Sequence, residues 1–467
     1  MDRIKQDNME SISRAGNRTV KPASLPVQSS GFWLIAAIGL HLPLAYLMRL
    51  SSHFATLHAL AAVALGLWFI LQDKQPFRLI CLTGYIIGAE VLWRMTKVGL
   101  FWEYDKYAVC LLLLLAMMKW SRSFKTLPLV YGLLLLPSII LTVTASGSLF
   151  QARSDISFNL SGPFLLTVAA LFFSGREFNR PQLRQLLLYT VMPIAGMAFL
   201  VLIKAQGATL ADFTSSQSNL LTSGGFGPNQ VSATLGLGAL LCWIAIFTQK
   251  QFAKLKWIIA LLLVWFLAQA FLTFSRGGVF NFLVAASLAT PFLSKKGGKM
   301  LSFLVPGGIL LLLFVYLIIP RLDQFTGGAI TERFTDTGTT GRYEIVMKDL
   351  KLWQENFLLG VGPGRSSSLR DQQTGLSGIT ARGSDGAATH TEYSRLLAEH
   401  GFLGLLALLL LFAMFLGNFM GAKTSLAKGL TLAFMLWALA QMSHQGMRLA
   451  AISYFFALPF AGFKDED

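Results

Sequence analysis

Charge is scarce in this chain. Only 13% of its 467 residues are Asp, Glu, Lys or Arg, while 54% are hydrophobic. Soluble domains carry about 25% charged residues, so an ordinary water-soluble fold is excluded. Cysteine is nearly missing as well. Cys81, Cys110 and Cys242 lie singly inside apolar runs, without a Cys-x-x-Cys pair, and read as buried thiols that report no redox compartment. No His-x-x-x-His spacing occurs in the sequence, and no acidic cluster accompanies the histidines of its polar segment. No metal site is therefore expected, and no cofactor motif stands out. Alternating segments of about ten residues are absent, which argues against a membrane barrel. No repeat of about 20–50 residues recurs, which argues against a solenoid.

What the chain does have is a succession of apolar runs near the length of about 20 residues that spans a bilayer. In lipid such runs satisfy their backbone as helices. The expected fold is an all-α integral membrane protein of about 14 transmembrane helices. The runs lie near 31–48, 54–72, 79–96, 107–118, 127–143, 162–175, 185–204, 229–248, 257–274, 278–293, 300–319, 401–420, 427–444 and 449–463. Residues 1–30 read as a disordered basic cytoplasmic tail, 31–319 as helices 1–11, 320–400 as one large periplasmic loop, and 401–467 as helices 12–14 with a short cytoplasmic C-terminus.

The formal charge of +16 is explained by where its residues fall. With the N-terminus inside, the inner segments hold the basic tail, Lys74 and Arg78, Lys119, Arg122 and Lys125, Arg176, Arg180 and Arg184, Lys250, Lys254 and Lys256, Lys295, Lys296 and Lys299, Lys423 and Lys428, and Lys464, more than half of the 39 Lys and Arg. Short cytoplasmic loops show this bias, so nucleic-acid binding has little support. The 320–400 segment is close to neutral, and long translocated loops are exempt from the charge rule.

The outer segments collect the candidate functional residues. Arg276, in LTFSRGGVFNF, sits between two runs in an expected helical hairpin, with Gly277 and Gly278 permitting the turn. It reads either as a snorkelling side chain or as an anion-binding Arg at the floor of an outward cavity. In TTGRYEIVMKDLKLWQENF, Thr340 is a plausible N-cap. Arg342, Val346, Leu350, Trp353 and Phe357 share one face of an amphipathic helix expected to lie on the membrane surface. LLGVGPGR (358–365) reads as a Gly-rich turn; it lacks the Lys-Ser/Thr ending of a nucleotide loop, so ATP binding is rejected. In ATHTEYSRLLAEHG, Thr389 and Glu392 form a capping-box pair. His390 would then stand in the first helical turn as a neutral imidazole, or merely as a capping surface residue. His400 and His444 read as structural or unassigned, and Glu90 and Arg94 as a mutual pair one turn apart. Asn229 opens a run after Pro228, and its free N–H groups would greet a phosphate or only cap the helix.

SRGG at an outer hairpin, Gly341-Arg342 followed eleven residues later by Trp353, and His390 eleven residues before Gly401 together resemble the bacterial O-antigen ligase and polymerase superfamily. The resemblance covers about residues 220–420. It implies a multi-pass enzyme of the bacterial inner membrane, similar to metal-independent glycosyltransferases of the GT-C kind, that moves a glycan from undecaprenyl diphosphate to a hydroxyl. The acceptor is a growing chain in polymerases or a lipid A core in ligases. By that resemblance Arg276 and Arg342 hold the lipid diphosphate, and His390 faces the acceptor as general base. Asn229, Thr391 and Tyr393 are candidate substrate contacts. Family members often carry Asn, Ser or Gln after the His; Thr391 keeps a polar side chain there. Fourteen spans lean toward a polymerase, within a polysaccharide assembly complex. The rival readings are a lipid-linked glycan flippase and a scaffold subunit.

Overall fold

The computed structural model describes residues 31–120, 125–215, 218–248, 256–294, 314–335, 342–373 and 391–464, and these are helical almost throughout. The first half of the chain builds α1 (Gly31–Leu50), α2 (Ser52–Gln72), α3 (Phe77–Met95), α4 (Tyr104–Lys119), α5 (Thr126–Leu134), α6 (Ile139–Ala145), α7 (Leu149–Phe173) and α8 (Arg180–Ala205). There follow α9 (Pro228–Thr248), α10 (Lys256–Leu272) and α11 (Arg276–Leu293). The polar segment holds α12 (Ile319–Phe325), α13 (Ala329–Thr335), α14 (Arg342–Glu355) and α15 (Arg365–Gln373). The chain then returns through α16 (Glu392–Gly421), α17 (Ser425–Thr431), α18 (Trp437–Gln445) and α19 (Ala450–Ala457), with a π turn joining α17 to α18.

Eight helices are long and apolar enough to cross a membrane, and Ala36–Leu50, Lys256–Leu272 and Ala450–Phe460 are shorter apolar helices. The expected count of 14 is not reached among the described residues. Most of the expected run at 300–319 and the whole basic tail 1–30 lie outside them. The α3 and α4 helices fall outside the membrane-length set, and they carry Glu90, Asp105 and Lys106, all buried, with Arg94 half-buried. The run expected at 127–143 is one of the eight, Thr126–Ala145, although it is interrupted into α5 and α6 at Pro137, whose ring and missing N–H break the helical ladder. The run expected at 162–175 begins much earlier, at Leu149, where Ser148 caps the helix by accepting from Gln151 N–H. Polar residues 151–159 are therefore helical, an extension that hydropathy could not reveal.

Hydrogen bonds distinguish the two ends of the bundle. At one end Trp120 Nε1 donates to Lys74 O at 3.1 Å and Arg176 Nη2 to Trp120 O at 2.9 Å. There β1 (Glu177–Phe178) pairs in parallel with β2 (Gly462–Phe463), and Lys464 meets Glu177 at 2.7 Å. This basic end is the one the charge bias would put in the cytoplasm. At the other end Arg94 Nη1 donates to Gln230 at 2.9 Å, and Ser275 Oγ donates to Asn229 Oδ1 at 2.8 Å. The expected Glu90–Arg94 pair is present at 2.6 Å, and Glu90 Oε2 also accepts from Ala450 N–H. Cys81, Cys110 and Cys242 are free and buried, as expected.

The polar segment is bolted to the bundle at a break in α16. Gly401 has φ 60° and ψ −133° inside that helix, a conformation open to glycine alone. The break releases carbonyls from the helical ladder, and the Gly-rich strap 358–365 takes them. Val361 N–H donates to Ala398 O (2.9 Å) and Gly362 N–H to Glu399 O (3.0 Å), while Phe402 N–H donates to Phe357 O (2.6 Å). A Cβ at Gly401 would stand 2.5 Å from both Gly360 N and Phe357 O. The expected Gly-rich turn thus proves to be a docking strap. Its helix α14 does not simply lie on a surface: it turns Asp349 and Leu352, not the predicted apolar stripe, into the protein. Phe357 on that stripe is exposed.

Gly401→Ala should lower the thermal stability of detergent-purified protein by several degrees, since backbone strain of this kind costs about 1–3 kcal/mol before any clash. Gly417→Ala lies in the same helix with open space around it and should leave the melting temperature almost unchanged. Equal melting of the two variants would show that the break at residue 401 is dispensable.

Candidate functional site

The N-terminus of α11 is the centre of the site. Ser275 precedes it with extended backbone, and Phe274 before that has φ 57°, unusual for a bulky residue. The turn predicted for Gly277 and Gly278 is thus made by Thr273–Ser275 instead. The two glycines lie inside the helix and serve close packing. A Cβ on Gly278 would run into the Ser232 carbonyl of α9, and one on Gly277 would stand 2.9 Å from His444 Cδ2. Ser232 Oγ donates to Ser275 O at 2.8 Å and accepts from Gly278 N–H at 3.3 Å. Together with the Asn229–Ser275 bond, these contacts lock the start of α9 to the start of α11. Asn229 is therefore committed to holding the Arg276 turn.

Arg276 opens this helix and Arg342 opens α14, and the structure brings them together with a third guanidinium, Arg333 of α13. Burial, then the positive charges of Arg276 and Arg333, push the Arg342 pKa below its ordinary value. Arg333 is buried and fixed by backbone: its Nε donates to Phe274 O at 3.2 Å and its Nη1 to Ser215 O at 3.4 Å. Like charges gathered in this way cost free energy unless an anion joins them. His444, at the end of α18, lies within electrostatic reach of Arg342, and its Nε2 meets Asn281 Oδ1 of α11 at 2.9 Å. Arg333 and His444 were not singled out as site residues by sequence reasoning. Nothing local marks them, because α13 and α18 approach α11 only through the tertiary fold.

The turn after His444 leads directly to the start of α16. Met447 N–H donates to Glu392 Oε2 at 3.1 Å, and Tyr393 OH donates to Leu439 O at 2.8 Å. The N-cap of α16 is Thr391, whose Oγ1 accepts from Tyr393 N–H at 3.2 Å. The predicted cap at Thr389, with Glu392 closing a capping box, is therefore corrected. Glu392 is the first helical residue, and its carboxylate is drawn inward by Arg395 and Met447 N–H. Thr389, His390, Thr340 and Gly341 lie outside the described residues. Thr391 is buried as the cap and Tyr393 is half-buried against α18.

Below this turn the first helical turns of α16 carry a buried charge network. Arg395 pairs with Glu392 and, at 2.7 Å, with Glu399. Glu399 Oε1 accepts from Ser366 Oγ and Gly364 N–H, both at 2.9 Å. Ser394 Oγ donates to Asp349 Oδ2 at 2.7 Å, and Asp349 pairs with buried Arg370. Burial holds the Asp349 carboxyl above the ordinary carboxylate range, against the pull of Arg370. His400 is structural, as expected: its Nδ1 bonds to Ser138 Oγ.

A family model described as O-antigen ligase matches residues 261–409, about a third of the chain. The match runs from α10 through the first half of α16, and so takes in Arg276, Arg333, Arg342 and the strap. It supports the O-antigen ligase and polymerase superfamily, and with it a role in membrane glycan processing. No curated protein matches the sequence.

Asp349→Ala should destabilise the protein by about 3–5 kcal/mol, because it removes one partner of the buried Asp349–Arg370 ion pair. Adding Arg370→Met should restore much of that loss. The check is denaturant or thermal unfolding in detergent across the double-mutant cycle, and additive losses would disprove the coupling.

Proposed function

We propose, for a chain whose residues 261–409 carry an O-antigen ligase domain, that it transfers an oligo- or polysaccharide from undecaprenyl diphosphate to a hydroxyl acceptor on the non-cytoplasmic side of a bacterial inner membrane. What supports this reading most is that Arg276 and Arg333 lie within electrostatic reach of Arg342. A lipid diphosphate needs charge stabilisation as it departs. Guanidinium groups are permanently charged and bind phosphate oxygens in a bidentate fork. Arg333 is held in advance by Phe274 O and Ser215 O, and a donor fixed in this way needs no reorganisation when that charge develops.

In this proposal Arg276 and Arg342 grip the diphosphate, and Arg333 supplements their field. His390, one residue before the α16 cap, accepts the proton of the acceptor hydroxyl as general base. The hydroxyl oxygen attacks the anomeric carbon, the bond to the diphosphate oxygen breaks, and the electron pair leaves with the lipid diphosphate. In-line displacement inverts the anomeric configuration, and no divalent cation is required where guanidinium groups carry the charge. Polymerase and ligase activity share this donor chemistry and differ in the acceptor, a growing glycan or a lipid A core. The family match favours glycan transfer over the flippase reading.

Purified protein given undecaprenyl-diphosphate-linked oligosaccharide and acceptor should form product. His390→Ala should slow transfer by about 10²–10⁴-fold and Arg342→Ala by about 10²–10³-fold, with melting temperatures unchanged. Arg342→Lys should recover only part of the rate, because an ammonium lacks the planar fork. Full activity in both alanine variants would reject the assignment.

A further inference from the structure

The buried network at the start of α16 faces a second cavity that the diphosphate chemistry does not use. A cleft of about 110 Å³ lies between α7, the strap, α16 and the turn 446–448, with Asp155, Phe158, Glu392, Arg395, Glu399 and Arg448 among its walls. A cavity needs about 10–15 Å³ of such volume for one water, so this one has room for a single sugar ring.

Its charge differs from that of the arginine mouth. Arg395 is spent on Glu392 and Glu399, and the walls hold three carboxylates against two guanidinium groups. Carboxylate oxygens only accept hydrogen bonds; those of Glu392 and Glu399 are already engaged, which leaves Asp155 as the acceptor that suits a ligand rich in O–H donors. One rim is aromatic. Phe158 is 37% exposed although it borders a polar cleft, and the Arg448 guanidinium lies 5.6 Å from its ring centre. A pyranose presents hydroxyls around its edge and an apolar C–H face, which matches a carboxylate on one wall and a ring on another.

Position strengthens the case. The turn that carries His444 beside Gly277 continues within four residues to Met447 and Arg448 of the cleft. Glu392, two residues after His390, lines it as well. The cleft and the arginine mouth therefore flank the same turn and the same helix start. We infer that this cleft is a subsite for one uncharged, hydroxyl-rich sugar ring, held by Asp155 and Phe158 over the Glu392–Arg395–Glu399 floor. Its identification with the acceptor glycan rests on the transferase reading above; the binding itself does not.

The test uses the full chain in nanodiscs, with neutral methyl hexopyranosides as probes and methyl glucuronoside as the anionic counterpart, read by saturation-transfer NMR. Wild-type protein should bind a neutral glycoside in preference to the glucuronoside. Asp155 and Phe158 sit on a partly exposed face of α7; Asp155→Ala should weaken binding about tenfold, the value of one charge-assisted hydrogen bond, and Phe158→Ala should weaken it severalfold by removing the apolar ring face. Arg342→Ala should bind the glycoside as wild type does. Undiminished binding in Asp155→Ala, a preference for the anion, or no binding of any neutral hexoside would overturn the subsite. Glycoside binding that persists in a protein without transfer activity would overturn the transferase reading and leave this subsite standing.

Discussion

The interrupted backbone ladder at Gly401 is the constraint on which the site depends. A helix broken in the membrane-facing part of a protein must find new partners for its released carbonyls. Here the strap supplies them, with Val361 and Gly362 donating to Ala398 and Glu399 while Phe402 donates back to Phe357. This exchange helps fix the polar segment onto the bundle, beside the apolar contact of Leu352 and Val361 with Ala398. It also sets the strap beside Glu399, so that Gly364 N–H and Ser366 Oγ complete the carboxylate's bonds.

From that joint two electrostatic environments follow. Towards α11, Arg276 and Arg333 lie close enough to Arg342 for their charges to lower its pKa. Towards α7, Arg395 is neutralised within α16 by Glu392 and Glu399, and carboxylate oxygens line the space. The turn from His444 to Arg448 separates the two. Its own geometry is set by short contacts, His444 on Asn281 and Met447 N–H on Glu392.

Much of this was legible before any coordinates. Arg276 and Arg342 stand out because an arginine beside an apolar run is costly and so rarely idle, and the structure does bring these two together. The predicted role of Gly277 and Gly278 as turn formers did not hold. Periodicity reports which face a residue occupies, not how near a neighbouring helix comes, and it is Ser232 and His444 that require the missing side chains. The capping pair Thr389–Glu392 was read from a local pattern that tertiary charge overrode, since Glu392 gains more from Arg395 and Met447 N–H than from a cap.

Composition and hydropathy alone determined that the chain is a helical membrane protein with one long polar segment, because a bilayer admits few ways to satisfy a backbone. Local pattern also located α14 and the Gly-rich strap. Only the tertiary structure decided that Arg333 and His444 join Arg276 and Arg342, and that Asp349, not an apolar stripe, anchors α14. Those choices depend on which helices touch, and in a chain apolar on nearly every face the sequence pattern does not encode the partner of each face.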